Sequence, residues 1–196
     1  MRSADPRAMK IWPDVPACYD WLSLDQRGVW RLRGEPVVHQ GLTAFLSRHY
    51  ARDEDGNHFV QNGPQRVFVK LDYTPWVLRL SSEGTLQTHT GEAVQEIRRA
   101  AFDDEGNFLV EIPAGIALLC DRDLPAILGC VRLADGTAAD DATLLDVIAL
   151  PPGTVSQLIF TWQTRDYPIL ALRRDEMARR FGFVASPQPV KTSATE

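Results

Sequence analysis

The groups in this 196-residue chain that could do chemistry are four histidines, three cysteines and a few carboxylate-rich turns. His39, His49, His58 and His89 form no His-x-His or His-x3-His pair and have no cysteine close by, so local spacing specifies no zinc site. His89 draws most notice, because Thr88 and Thr90 flank it and Gly91-Glu92 follow. An imidazole beside a carboxylate can act as a base held by an orienting partner, and Glu92 or Asp72 could fill the second role. The plainer reading is a strand-end histidine facing water, and it is the one favoured. Asp72, Trp76, Thr88, His89 and Glu92 are the candidate ligand contacts, with no catalytic residue, metal ligand or cofactor assigned.

The acidic turns are weaker candidates. Asp53-Glu54-Asp55-Gly56-Asn57 has the look of a calcium loop, yet the position five before its glycine is Ala51, where an EF-hand needs aspartate. The turn at Asp103 to Asn107 fails in the same way, with Ala101 in first place. Both read as hairpin turns. No G-x-S-x-G elbow, G-x-G-x-x-G or P-loop occurs. Cys18, Cys120 and Cys130 are odd in number, lack a Cys-x-x-Cys pair and lie largely in apolar sequence, so they read as free core thiols in a reducing compartment. Arg173, Arg174, Arg179 and Arg180 could form a basic helix face. Asp175 and Glu176 stand four residues before Arg179 and Arg180, and so favour a salt-bridged, solvated face.

Composition sets the frame for these residues. With 24% charged and 44% hydrophobic residues the chain belongs with ordinary globular proteins, and it needs neither disulfide nor metal to fold. A net charge of −5 weighs against nucleic acid and anionic membranes as partners. No apolar leader is visible, and the longest apolar run, 116–120, falls far short of the ~20 residues that span a bilayer. The cytoplasm is the expected location.

The elements that must position these groups are mostly short strands. An arm is expected over 1–19, a first roll over 20–80, a second over 81–184 and a disordered tail over 185–196. Alternation predicts a strand at 28–34, and helical spacing of Leu42, Phe45, Leu46 and His49 predicts a helix at 41–51. Strands are expected at 67–71, 76–80 and 86–90, a buried strand at 112–120 broken by Pro113 and Gly115, and a helix at 124–133 capped by Asp121 or Asp123. Residues 134–146 read as an exposed acidic loop. A last hairpin covers 154–163 and 167–172, and a helix at 173–181 ends on Gly182. Trp30, Trp76 and Trp162 belong to cores, while Trp12 and Trp21 pin the arm. Residues 51–60 echo residues 101–110, but such turns arise independently and one pair makes no duplication.

The order of these motifs resembles the proteobacterial domain-of-unknown-function family numbered 1285. The resemblance rests on Gly28-Val29-Trp30, Gly34-Glu35-Pro36-Val37, Leu42 with Phe45, Asp55-Gly56, Asp72-Tyr73-Thr74-Pro75-Trp76-Val77, the stretch Leu86 to Glu92 and the late helix at 124–131. It covers about residues 20–133. It implies two small β-rich rolls with one helix each, and no established activity. Gln61 to Arg66 and the strand-strand-helix segment after Leu133 depart from the family pattern.

Taken together, the expected fold is α+β, dominated by antiparallel sheet, in two rolls with a C-terminal extension. The leading functional expectation is a non-enzymatic module that binds a small ligand or a protein, with a crevice between the rolls as the place for it. The alternatives are a hydrolase-like enzyme with a His/carboxylate site there, and a homo-oligomer joined through a sheet edge.

Overall fold

A computed structural model describes Pro13 and residues 15–189. The α+β class holds: two mixed sheets carry four short helices, and three of the twelve strand pairings are parallel. The chain falls into two compact units. The first holds the described residues up to Asp25, then Val29–Asp72 and the described residues from Phe183 onward, and the second holds Gln26–Gly28 and Tyr73–Gly182.

The first unit is a six-stranded sheet with one helix. Its strands are β1 (Ala17–Leu24), β2 (Trp30–Leu32), β3 (Glu35–Pro36), β4 (Tyr50–Arg52), β5 (His58–Asn62) and β6 (Gln65–Leu71), in the order β3-β2-β1-β6-β5-β4. Helix α1 (Gln40–Arg48) starts on His39, whose Nδ1 accepts the Leu42 N–H, and it buries Leu42 and Leu46. Trp30 is buried, with its indole N–H donated to Ser47 Oγ at 3.3 Å. Residues 17–19, expected in the arm, are part of β1, as is Trp21. The Gln65 side chain donates to the carbonyls of Pro13 and Val15 and holds the chain before β1. Of the expected tail, Ala185 accepts the Leu71 N–H and Pro187 is buried, so this stretch is ordered against the unit. Trp12 and residues from 190 onward lie outside the described residues.

The second unit is an eight-stranded sheet ordered β12-β13-β14-β9-β10-β11-β7-β8. Its strands are β7 (Trp76–Leu80), β8 (Leu86–Thr88), β9 (Arg99–Asp103), β10 (Phe108–Ile112), β11 (Gly115–Leu119), β12 (Val131–Leu133), β13 (Val155–Trp162) and β14 (Arg165–Leu172). Phe108, Phe102 and Phe160 meet edge to face at 5.0–5.1 Å in its core, among Leu78, Val110, Leu119 and Ile169.

Three sequence expectations fail here for physical reasons. Pro113-Ala114 is a turn, so 112–120 is the end of β10 and all of β11 rather than one broken strand. Phe108-Leu109-Val110 and Ile116 to Cys120 are buried without alternation, because the sheet is covered on both faces and no period marks the ends of its strands. The helix expected at 124–133 is a 3₁₀ turn (Asp121–Asp123), α2 (Leu124–Leu128) and then β12; Asp121 and Asp123 leave its N-terminus uncapped, and Asp123 Oδ2 accepts the Leu80 N–H instead. The acidic stretch is half helix: Asp140 caps α3 (Asp141–Ile148) by accepting the Thr143 N–H. The closing helix shortens to a 3₁₀ turn (Arg174–Glu176) and α4 (Met177–Phe181), ended by Gly182 in the left-handed region as expected.

One turn recurs through both units. In the five-residue segments beginning at Asp53, Ser81, Thr88 and Asp103, the first N–H donates to the fifth carbonyl, and the glycine at position four donates back. The side-chain oxygen of position one then accepts the fifth N–H, closing the loop, and the Asp25–Val29 turn shares this contact. The glycines have φ between 74° and 92°, a region that side chains with Cβ rarely enter. The echo between 51–60 and 101–110 therefore has a topological counterpart. Both turns join the first and second strands of a meander (β4-β5-β6, β9-β10-β11) whose third strand returns parallel to an earlier one, β6 to β1 and β11 to β7.

Candidate functional site

Four of the five residues singled out in the sequence lie in the second unit. The Trp76 and His89 rings are neighbours, 5.6 Å apart, and the Trp76 indole N–H donates to the Ala114 carbonyl. His89 Nδ1 accepts the Val77 N–H at 3.4 Å. That contact turns this nitrogen to the backbone of β7 rather than to an orienting carboxylate. Thr88 is buried and its hydroxyl accepts the Glu92 N–H, so its first task is to close a turn. Glu92 is exposed in that turn. Asp72 belongs to the first unit, at the end of its Val29–Asp72 segment, and is exposed, with its N–H donated to the Leu24 carbonyl.

The second unit also has a cleft, and none of the five residues lines it. Its volume is about 330 Å³, and its walls are Gln26, Arg27, Gly106, Asn107, Phe108, Leu118, Leu119, Asp121 and Leu124. Phe108, Leu118 and Leu119 are at most 3% exposed, so their side chains offer it little surface. The rim is charged. Arg27 donates from Nε and Nη2 to the two oxygens of Asp121, the shortest contact being 2.7 Å. The Arg27 hydrogen bonds hold the Asp121 carboxyl below its ordinary pKa and so keep it ionised. The Gln26–Gly28 segment is fixed from behind. Arg79 Nη2 donates to the Arg27 carbonyl, and Gly28 lies so close to His89 that an added Cβ would sit 2.8 Å from the histidine's own Cβ.

Asn107 is held by a buried carboxylate. Asp103 is fully buried and accepts the Asn107 side-chain amide, the backbone N–H groups of Glu105 and Asn107, and the Tyr73 hydroxyl at 2.5 Å. Burial, then that hydrogen bond, push the Tyr73 phenol far above its ordinary pKa. The Arg174 guanidinium covers the Tyr73 ring at 4.0 Å and pairs with Glu105 at 2.8 Å. Arg173, Arg174 and Arg179 of the closing segment are thus paired, though with partners other than those expected: Arg179 faces Glu176 three residues back, and Asp175 faces Arg173.

Sequence reasoning missed the cleft. Its residues come from segments around 26, 107 and 120 that share no motif, and only the Asp-x-x-Gly turns at Asp25 and Asp103 flag two of them. Among the described residues no group of histidine, cysteine, aspartate and glutamate could hold a metal. The thiols are free as expected, and burial raises the pKa of Cys18 and Cys120.

The family model DUF2944, described as "Protein of unknown function (DUF2946)", matches residues 1–188. Two solved structures are similar, both DUF1285 family proteins. The one from Silicibacter pomeroyi DSS-3 is 18% identical, with 71% of this chain and 86% of that one covered at a TM-score of 0.48. The one from Shewanella baltica OS155 is 12% identical, with 56% and 91% covered at a TM-score of 0.42. The resemblance noted over residues 20–133 is to the family of these two proteins. No functionally curated protein matches.

Proposed function

We propose that this chain, which belongs to the DUF2944 family of proteins of unknown function, is a binding module that takes a small molecule in the cleft of its second unit. The observation that carries the reading is the cleft's lining, in which the polar side chains of Arg27, Asn107 and Asp121 stand together with Leu124. A volume of about 330 Å³ lies at the small end of the range for ligand pockets. His89 packs against Gly28, next to Arg27, and neither it nor Trp76 lines the cleft.

Two observations rank the alternatives lower. A hydrolase needs its base oriented by a carboxylate, and His89 Nδ1 takes a backbone N–H instead. Assembly through a sheet edge needs a long free strand, and the outermost strands β3, β4, β8 and β12 have two or three residues each. The free thiols fit a reducing cytoplasm. Among the described residues no helix is long and apolar enough to cross a membrane.

The test is a thermal-shift screen against metabolites, nucleotides and divalent metals, run on the full chain and on Leu124→Trp, which fills the cleft. A ligand at ~100 times its Kd adds about 2.7 kcal/mol and raises Tm by several degrees. The expected result is a shift in the natural chain that the variant loses. A flat screen, or a shift equal in both proteins, would sink the reading.

A further inference from the structure

We infer that the outer face of the first unit's sheet docks helix α3 of a second copy of this chain, a head-to-tail contact independent of the cleft. Helix α1 covers the inner face, where Trp30 lies opposite Leu24 and donates to Ser47. Alternation along β5 and β6 turns Phe59, Arg66, Phe68 and Lys70 the other way, and the Tyr19 ring stacks on Phe68 at 4.5 Å. The Arg66 guanidinium lies 4.8 Å from the Phe59 ring centre, and Arg33 lies 4.7 Å from that of Trp21. Phe59 and Phe68 are buried and form only the base of this layer. The surface open to a partner is exposed Arg33, Arg66 and Lys70 with half-buried Tyr19 and Trp21. None of these three cations makes an ion pair among the described residues.

Charge complementarity names the second copy as the occupant. The chain carries −5 overall, so this cationic face is a local reversal, and α3 holds its complement. The outer stripe of α3 and its C-cap is Asp141, Ala142, Leu145, Asp146 and Ala149, all exposed, while Val147 is buried on the other side. Leu145 is 65% exposed, and neither Asp141 nor Asp146 makes an ion pair among the described residues. An apolar side chain flanked by carboxylates thus matches aromatic rings flanked by cations. The lengths agree as well: eight helical residues rise about 12 Å, and Arg66 and Lys70 stand about 13 Å apart along β6. A nucleic-acid strand fits less well, because Trp21, Phe59 and Phe68 already stack on a guanidinium or a ring, which leaves little face for a base. The two surfaces differ, so the contact is heterologous and either propagates as a chain or closes as a ring.

Sedimentation velocity of the full chain tests this. Reversible association is expected at about 0.1 mM in low salt, and it should weaken in about 0.5 M salt. Asp141→Lys with Asp146→Lys should weaken it about tenfold or more, and so should Arg66→Glu with Lys70→Glu. Each doubly substituted chain keeps one natural surface, and the reversed surfaces match each other, so an equimolar mixture of the two should associate as the natural chain does. Lys70→Glu alone leaves Arg66 over its ring, and its smaller loss of association is the readout if the double variant unfolds. A natural chain that stays monomeric at that concentration overturns the inference. So does association that both reversals leave unchanged, or a mixture that fails to restore it. A monomer that binds an acidic peptide or a single-stranded oligonucleotide on this face has a different occupant there, and overturns the inference as well.

Discussion

Acid should weaken the first unit through one imidazole. His58 is 1% exposed in β5, with its ring 5.4 Å from that of Tyr50. Burial, reinforced by the Arg52 charge and opposed by Asp53 and by the backbone carbonyl of Gly56, lowers its pKa from 6.5 to about 4. The folded chain therefore keeps His58 neutral where the unfolded chain protonates it. Above pH 6.5 this group adds no pH dependence. As pH falls below that value the unfolded state takes up the proton first and stability drops, levelling off near pH 4 once the native imidazole protonates as well. At 1.36 kcal/mol per pH unit the whole loss comes to about 3 kcal/mol, with about 2 kcal/mol of it between pH 7 and pH 5. Urea unfolding at those two pH values, on the natural chain and on His58→Leu, measures it. The leucine keeps an apolar group of similar size and cannot titrate. Only the change with pH is compared, so a constant effect of the substitution cancels. The natural chain should lose about 2 kcal/mol more than the variant on going to pH 5. Equal losses in the two proteins would refute the assignment.

Three further outcomes follow from individual contacts. Gly28 and Gly84 share φ 74° in equivalent turns, but only Gly28 faces a neighbour within 4 Å. Both alanine variants pay for the left-handed backbone, so Gly28→Ala should cost about 1–3 kcal/mol beyond Gly84→Ala by thermal unfolding, from overpacking against His89; equal costs would show that the segment simply moves aside. Tyr73→Phe removes a buried donor from Asp103 while leaving the other donors, and should destabilise by about 1.5–3 kcal/mol. Asp103→Ala should cost more than Asp53→Ala, which breaks the same turn at a half-exposed position, and an equal cost would mean that the tyrosine contact contributes nothing.

The sequence made some of this legible and hid the rest for identifiable reasons. Helix α1 was readable because Leu42 and Leu46 bury one stripe while the other side faces water, and Gly182 marked a helix end because few other residues enter the left-handed region cheaply. The ends of β10 and β11 were not readable, since residues buried on both faces carry no period. Helix α3 was masked by Asp135, Asp140, Asp141 and Asp146: four carboxylates in a row of small residues look solvated, and one of them is in fact the cap. Of the candidate site residues, Trp76 and His89 come together only in the fold, with rings 5.6 Å apart. Thr88 looked like a ligand contact because a hydroxyl that closes a turn and one that binds a molecule are the same residue type in sequence.

The recurring turn explains where functional information can be stored in such a fold. Its first residue is fixed by the side-chain oxygen that closes it, its fourth by the positive φ of glycine, and its fifth by the N–H that oxygen accepts. Positions two and three are under no such demand. They are Gln26-Arg27, Glu54-Asp55, Ser82-Glu83, His89-Thr90 and Asp104-Glu105 in the five copies. Asp104 and Glu105 take up the Arg174 backbone N–H and side chain, and so anchor the closing segment. His89 supports Gly28. Arg27 is the one arginine in the set, and it lies on the rim of the cleft opposite a carboxylate. Asn107, at position five of another copy, lines the same cleft, and its amide is locked by the buried Asp103. A scaffold that repeats one turn can thus change its chemistry at two residues per copy without disturbing the hydrogen bonds that hold the copy together. On the proposed reading of the cleft, the arginine at position three, rather than the histidine at position two of a different turn, is the residue whose replacement should alter binding while leaving the fold intact.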